Sequence, residues 1–222
     1  IEKYKNNFSE INSIIYGISP GQKTPRGLAT VKAILSYIGK PIQSLHRHKI
    51  RYGWQDIYIQ KYPVLGNRWM ANCDIPDLEL FPQKYGIKSI KFSAGMENII
   101  LHFGIWILSW VKRFGFSVNF ENYAPSFLKL SNLFNVFGTS NGGMHIIIDG
   151  KDLLGKSLRK KWFIVAKHGD GPQIPCVPSS LLAKKLIDGN LNVTGAIPCL
   201  SLISLDEYID NLKKFNVEVF NL

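Results

Sequence analysis

The sequence lacks the usual signatures of a nucleotide-binding protein. Neither a GxGxxG fingerprint after a strand nor a GxxxxGK[ST] loop occurs in its 222 residues. The nearest glycine-rich loop, residues 138–143, precedes an apolar strand and not a helix, so it offers no helix N-terminus to a pyrophosphate. We therefore expect no cofactor to bind to this chain by itself.

Cysteine and long apolar runs are also scarce. The three cysteines, Cys73, Cys176 and Cys199, are odd in number and contain no CxxC pair. This pattern disfavours a disulfide framework and a metal site, and it favours a reducing, cytoplasmic location. The longest apolar run, residues 99–111, is shorter than the roughly 20 residues of a membrane span. We expect it to form a buried core helix, and we expect no membrane partner.

Acidic residues are few relative to basic ones. The chain has 27 Lys+Arg against 16 Asp+Glu, a net charge of +11. Such a balance is compatible with nucleic acid or an anionic membrane as partner. However, the positive residues are scattered, and the densest clusters, at 46–51 and 159–161, are short. A solvated basic face is favoured and nucleic acid is not expected, but a binding module for an anionic partner stays an alternative.

What is present is a globular pattern of helices and strands. The chain is 45% hydrophobic and 19% charged, so it can bury a core. Predicted helices cover residues 9–15, 30–38, 97–114, 124–133, 179–187 and 206–215, and predicted strands cover 49–60, 87–92, 143–148, 161–166 and 217–220, with a loop-like stretch at 62–82. Ser204 and Glu207 form a predicted capping box at the last helix, and Asp149-Gly150 is a hairpin signal. Because the strands come in groups, we predict one α+β domain over residues 1–222, with a mixed, mostly antiparallel sheet and helices on one face.

Two constellations could carry chemistry. Asp56 lies between aromatic residues on a predicted strand, where desolvation would raise its pKa and suit acid–base work. Arg68 precedes Asp74 in the loop-like stretch, and arginine binds carboxylates through two parallel hydrogen bonds. The alternatives are an exposed aspartate beside packing aromatics, and a loop in which the arginine and the aspartate pair with each other.

The order of several short blocks resembles the region that follows the Rossmann domain in saccharopine dehydrogenase-like oxidoreductases. The blocks are TPRG at 24–27 with Thr30, GWQD at 53–56, Arg68-Trp69, CDIPDL at 73–78, FSAGME at 92–97, GGM at 142–144, GPQIP at 171–175 and Gly195-Ala196. The resemblance extends from about residue 10 to residue 205. It implies an NAD(P)-binding Rossmann domain upstream of Ile1, followed by an α+β domain that binds substrate and forms homodimers.

The resemblance also implies roles for individual residues. Arg26 and Arg68 would anchor a small, amino-acid-like substrate. Asp56, or else Asp74, would donate or accept the proton of a reducible C=N or C=O group. Gln55 and Thr30 would orient the substrate, and NAD or NADP would bind to the upstream domain. A non-catalytic dimerisation domain is a further alternative.

Overall fold

The centre of the molecule is a β-sheet. The computed structural model describes residues 1–42 and 50–222, so the basic cluster at 46–49 lies outside the described residues. The strands of the main sheet are β1 (Phe8–Ser19), β4 (Tyr58–Tyr62), β5 (Gly66–Asn72), β6 (Ser89–Met96), β7 (Gly142–Asp152), β8 (Ser157–Ala166) and β9 (Val217–Asn221). Two short strands, β2 (Pro41–Ile42) and β3 (Arg51–Tyr52), pair separately.

The main sheet is mixed. Within the described residues its order is β4-β5-β6-β1-β7-β8-β9. Strand β1 is parallel to β6 and antiparallel to β7, and the other neighbouring pairs are antiparallel. The predicted α+β class with a mostly antiparallel sheet is therefore confirmed.

The sheet curls until its inner face closes on itself. Tyr62 of the edge strand β4 packs edge-on against Phe163 of β8 and His145 of β7, although β5, β6 and β1 lie between them in the sheet. Gly17 on β1 makes room for this packing. A Cβ atom there would lie 2.3 Å from the Ser93 carbonyl oxygen and 3.1 Å from Cε1 of His145. Any larger residue would push these strands apart.

The helices cover the outer face of the sheet. They are α1 (Leu28–Ser36), α2 (Asp77–Tyr85), α3 (Ile99–Arg113), α4 (Ala124–Leu133), α5 (Gln173–Ile187) and α6 (Leu205–Leu212). Along β6, Ile90 and Phe92 pack with α2, and Ala94 packs with α1, α3 and α4. On β8, Ile164 packs with α5 and α6. Because alternate residues of a strand share a face, these contacts lie on one side of the sheet, as predicted.

The strongest helical patterns were predicted well. Helices α3 and α4 and strand β9 occupy their expected positions. The N-cap half of the predicted capping box of α6 is present, since the Ser204 hydroxyl accepts a hydrogen bond of 3.1 Å from the Glu207 amide, whereas the Glu207 carboxylate faces Lys185 at 2.8 Å.

The prediction of a helix at residues 9–15 is wrong, because this stretch belongs to β1. A register shift between Ile11 and Ser13 marks a bulge in its pairing with β7. The bulge places Ile11 and Ile14, three residues apart, in the same core cluster. This spacing imitates the period of a helix, so the sequence alone could not distinguish the two.

The loop-like interpretation of residues 62–82 is also wrong. This stretch contains β5 and most of α2, which starts after Pro76 and keeps Pro82 in its interior. In addition, the predicted strand at 49–60 is divided into β3 and β4 by a turn in which Trp54 and Asp56 have φ values of 61° and 52°. The expected hairpin signal at 149–150 lies inside β7, and the chain turns at residues 153–156.

Candidate functional site

Glu97, at the end of β6, is the centre of a buried polar network. Its Oε2 accepts hydrogen bonds from the amides of Gln22 (2.7 Å) and Thr139 (2.8 Å). Its Oε1 accepts one from the Thr139 hydroxyl (2.7 Å) and one from Nη2 of Arg68 (3.1 Å). Burial opposes ionisation of Glu97, but these donors and the charge of Arg68 outweigh it and hold the pKa of Glu97 below its usual value.

Arg26 joins the same network from the loop before α1. The Gln22 side chain donates to the Ser131 carbonyl (2.8 Å) and to the side-chain oxygen of Asn135 (3.2 Å). Arg26 donates to the Ser131 hydroxyl and, at 3.4 Å, to the same Asn135 oxygen. Desolvation lowers the pKa of Arg26. Two of the predicted anchors, Arg26 and Arg68, are therefore linked by a chain of hydrogen bonds that passes through Gln22 and Glu97.

Asp56 lies in a second cluster at the other end of β5. Its Oδ2 accepts hydrogen bonds from Asn72 (2.8 Å) and from Arg51, and its backbone carbonyl accepts one from Lys91 (3.3 Å). Burial favours the neutral form of Asp56, but the Asn72 and Arg51 donors outweigh it, so its pKa is below the usual value. The carboxyl group is therefore ionised at neutral pH, opposite to the sequence-based expectation of a raised pKa.

The two clusters are well separated. Arg68 and Asn72 point to the same face of β5 but are four residues apart, which is about 13 Å along a strand. The fully buried Met70 lies between them. Arg26, Arg68 and Asp56 therefore do not converge on a single point.

The remaining predicted residues lie elsewhere. Gln55 is buried, and its side-chain oxygen accepts a hydrogen bond of 2.7 Å from Arg113 at the end of α3. Thr30 is exposed on α1. Asp74 is exposed before α2, and desolvation followed by the charge of Glu79 raises its pKa. Within the described ranges, no hydrogen bond or ion pair connects Asp74 to Asp56 or to Arg68.

Sequence reasoning missed a histidine on the inner face of the sheet. His145 is almost completely buried, with the Tyr62 hydroxyl 2.7 Å from Nδ1 and the Tyr58 hydroxyl 3.5 Å from Nε2. Desolvation lowers the pKa of His145 to about 3 and raises that of Tyr58 to about 12, so both are neutral at pH 7. A polar residue within the apolar run of β7 is the signal that could have identified it.

Glu97 was missed as well, since it entered only as the last letter of a family block. An acidic residue between a buried strand and an apolar helix needs several donors, and that position was the available signal. Among the residues that the structure describes, no group of three or more His, Cys, Asp or Glu side chains is placed to hold a metal ion. No helix in the described part of the chain is long and apolar enough to cross a membrane.

Comparison with known proteins gives a structural relative. The chain is similar to apo histidine-tagged saccharopine dehydrogenase (L-Glu forming) from Saccharomyces cerevisiae, with a TM-score of 0.57 and 9% sequence identity. The likeness covers 96% of this chain and 67% of the yeast chain. No model of a known protein family matches the sequence, and no curated protein matches it. At this identity the likeness establishes a shared fold with an oxidoreductase.

Proposed function

We propose that this chain is the C-terminal, substrate-binding part of a cytoplasmic, saccharopine dehydrogenase-like oxidoreductase that uses NAD or NADP. The observation that carries the proposal is the structural likeness, which covers nearly the whole chain but only two thirds of the yeast enzyme. The sequence contains no glycine fingerprint for a dinucleotide. In this proposal, another part of the protein binds the hydride carrier, and this chain binds the substrate.

Arg26 is the best anchor for a substrate carboxylate. The acceptors of its guanidinium group in the described part of the chain are neutral, the Ser131 hydroxyl and the Asn135 amide oxygen. Among the described residues it makes no ion pair, whereas Arg68 is neutralised by Glu97. A half-buried cation without an acidic partner gains more from a carboxylate ligand than one already paired.

Asp56 is the best proton acceptor. Its Oδ2 takes the hydrogen bonds from Asn72 and Arg51, and in the described part of the chain Oδ1 accepts none. The carboxylate is partly exposed and ionised at neutral pH, as a general base must be. Because Asp56 and Arg26 are far apart, the substrate would be an extended, amino-acid-like molecule.

Ligand binding tests the proposal. Isothermal titration of the 222-residue chain with saccharopine and with L-glutamate should show binding of at least one compound, and Arg26→Ala should weaken it at least tenfold. Lys23→Ala is the matched control, because it removes an exposed charge from the same loop and should leave affinity unchanged within twofold. Absence of binding at millimolar ligand, or equal affinity of Arg26→Ala and wild type, would contradict the assignment.

We also propose that the protein forms homodimers. Within residues 1–42 and 50–222, β4 is an edge strand with no partner on one side, and its Ile59 is exposed, so it can pair with or pack against a second copy. Sedimentation at high protein concentration should show a species of twice the 25.1 kDa chain mass. A monomer at every concentration would refute the proposal.

A further inference from the structure

Helix α3 carries large apolar residues on its outer side as well as towards the sheet. Its inner side buries His102, Ile105 and Ser109 against the sheet. Its outer side carries Ile100, Ile107 and Phe114, which are 65%, 55% and 75% exposed. A helix of an ordinary soluble domain presents polar residues to water, so this outer side is unusual. The sequence predicted a buried helix here, and the structure buries only one side of it.

An aromatic row runs along one flank of the same helix. Ring centroids lie 5.1 Å apart for Trp69–Phe103, 5.9 Å for Phe103–Trp106, 6.3 Å for Trp106–Trp110 and 6.0 Å for Trp110–Phe114. The first three contacts are edge-on and the last is tilted, and the side chains are partly buried except for the exposed Phe114. Tryptophan side chains of this kind are enriched where proteins meet the polar boundary of a bilayer.

The apolar surface continues beyond both ends of α3. Phe116 is exposed just after its C-terminal end. At the N-terminal end, the bond from Thr139 to Glu97 brings the exposed Val136 and Phe137 close to the start of the helix. We name the outer side of α3 together with these three residues the α3 surface. Clusters of exposed apolar side chains on one part of a protein mark binding sites.

The charge around the α3 surface is basic. Between residues 98 and 137 the charged side chains are Lys112, Arg113, Lys129 and Glu121, three basic and one acidic. Glu121 faces Lys40 at 4.0 Å. Lys112 and Arg113 are in the last turn of α3, where Lys112 donates to the Val118 carbonyl (2.8 Å) and Arg113 donates to the side chain of Gln55 (2.7 Å). Both cations are therefore held against the protein beside the apolar side and contribute to the basic field around it. An apolar side that carries aromatic residues, with basic residues near it, fits a helix that lies in a membrane interface.

We propose that the α3 surface docks on an anionic lipid membrane, with α3 parallel to the bilayer plane. The net charge of +11 is complementary to anionic headgroups. It disfavours a second copy on this surface, because two basic surfaces of the same kind would repel each other. The 15 residues of α3 are too few to span a bilayer, but lying in its interface requires no span. This differs from the sequence-based expectation of no membrane partner, which considered only spanning.

Vesicle flotation tests the proposal with the whole 222-residue chain. Vesicles of phosphatidylcholine alone and of phosphatidylcholine with 30% phosphatidylglycerol are compared at low and high salt. Wild-type protein should float with the anionic vesicles, and high salt should weaken this at least threefold because it screens the charges. Ile107→Glu and, separately, Ile100→Glu should reduce the bound fraction at least tenfold. Both side chains are more than half exposed, so the fold should tolerate the changes.

Leu154→Glu is the matched control. It places the same charge at an exposed leucine in the β7–β8 turn, away from α3, and should float like wild type. Failure of the wild type to bind either vesicle would overturn the proposal, and so would equal binding of Ile107→Glu and Leu154→Glu. Sedimentation of the lipid-free protein tests the alternative that a second copy of the chain occupies the α3 surface. A dimer that Ile107→Glu dissociates, without lipid binding, would assign the surface to a second copy.

Discussion

The two ends of β5 place charged residues in different surroundings. At one end, the side chains of Arg68 and Glu97 form an ion pair that is 10% and 11% exposed. At the other end, Asp56 contacts Asn72 and Arg51 and its side chain is 46% exposed. Arg68 and Asn72 lie on the same face of β5, and the sequence drew attention to Arg68 at one end and to Asp56 at the other.

The two carboxylates differ in how many of their hydrogen-bonding positions are occupied by donors from the protein. Glu97 accepts four hydrogen bonds from three residues, so the donors around it would be left unpaired if it were removed. The Asp56 side chain is partly exposed, and its Oδ1 accepts no hydrogen bond from the residues that the structure describes. A saturated buried charge holds loops and strands together, whereas a partly exposed one can exchange water for a ligand. We therefore propose a structural role for the Arg68–Glu97 pair and a chemical role for Asp56.

Removing Arg68 should produce the largest effect. Arg68→Ala leaves the Glu97 carboxylate buried without its cation, and breaking a buried pair in this way costs about 3–5 kcal/mol. Urea denaturation at pH 7 measures the change in the free energy of unfolding. Lys213→Ala removes a cation from an exposed pair with Asp210 and should change stability by less than about 1 kcal/mol. If Arg68→Ala and Lys213→Ala lost similar amounts of stability, the buried Arg68–Glu97 pair would contribute no more than an exposed ion pair.

Lowering the pH should have an intermediate effect on the free energy of unfolding. The pKa of Glu97 in the folded protein is below its usual value, so its contribution to stability is complete above about pH 4.3 and is lost as the pH falls further. Asp56 has the same direction of shift but is partly exposed, so its contribution should be smaller. Urea denaturation between pH 5 and 3 should give a shallower decline for Glu97→Gln than for wild type. Asp56→Asn should decline like wild type, and a shallower decline for Asp56→Asn alone would reverse the assignment.

Features that depend on residues close together in the sequence could be predicted, whereas features that depend on contacts between distant parts of the chain could not. The apolar run of α3 and the cap at Ser204 are local, and both were predicted. The bulge that gives β1 a helical spacing is set by pairing with β7, which lies far away in the sequence.

The candidate site shows the same limit. Asp56 was noticed because aromatic residues flank it, but its low pKa depends on Asn72, a neighbour made by folding. Arg68 was noticed because arginine binds carboxylates, and its actual carboxylate is Glu97, 29 residues along the chain.

The smallest effect on stability should come from Asp56→Asn. Asparagine has the same shape, and its oxygen can still accept a hydrogen bond from Asn72 or Arg51, so only the charge is lost. Since Asp56 is partly exposed, we expect a loss of about 1 kcal/mol or less. Its φ of 52° is in the left-handed region, which asparagine tolerates better than other residues with a Cβ atom.

Comparing Asp56→Ala with Asp56→Asn measures the cost of the left-handed backbone at this position. Alanine loses the same charge and also pays the full steric cost of the left-handed backbone, about 1–2 kcal/mol, so it should be less stable than Asp56→Asn by roughly that amount. Urea denaturation of the two variants at pH 7 separates the backbone contribution from that of the carboxylate. If Asp56→Asn alone lost as much stability as Arg68→Ala, the carboxylate of Asp56 would be as structural as that of Glu97. Its assignment as a proton acceptor would then have no support from its surroundings.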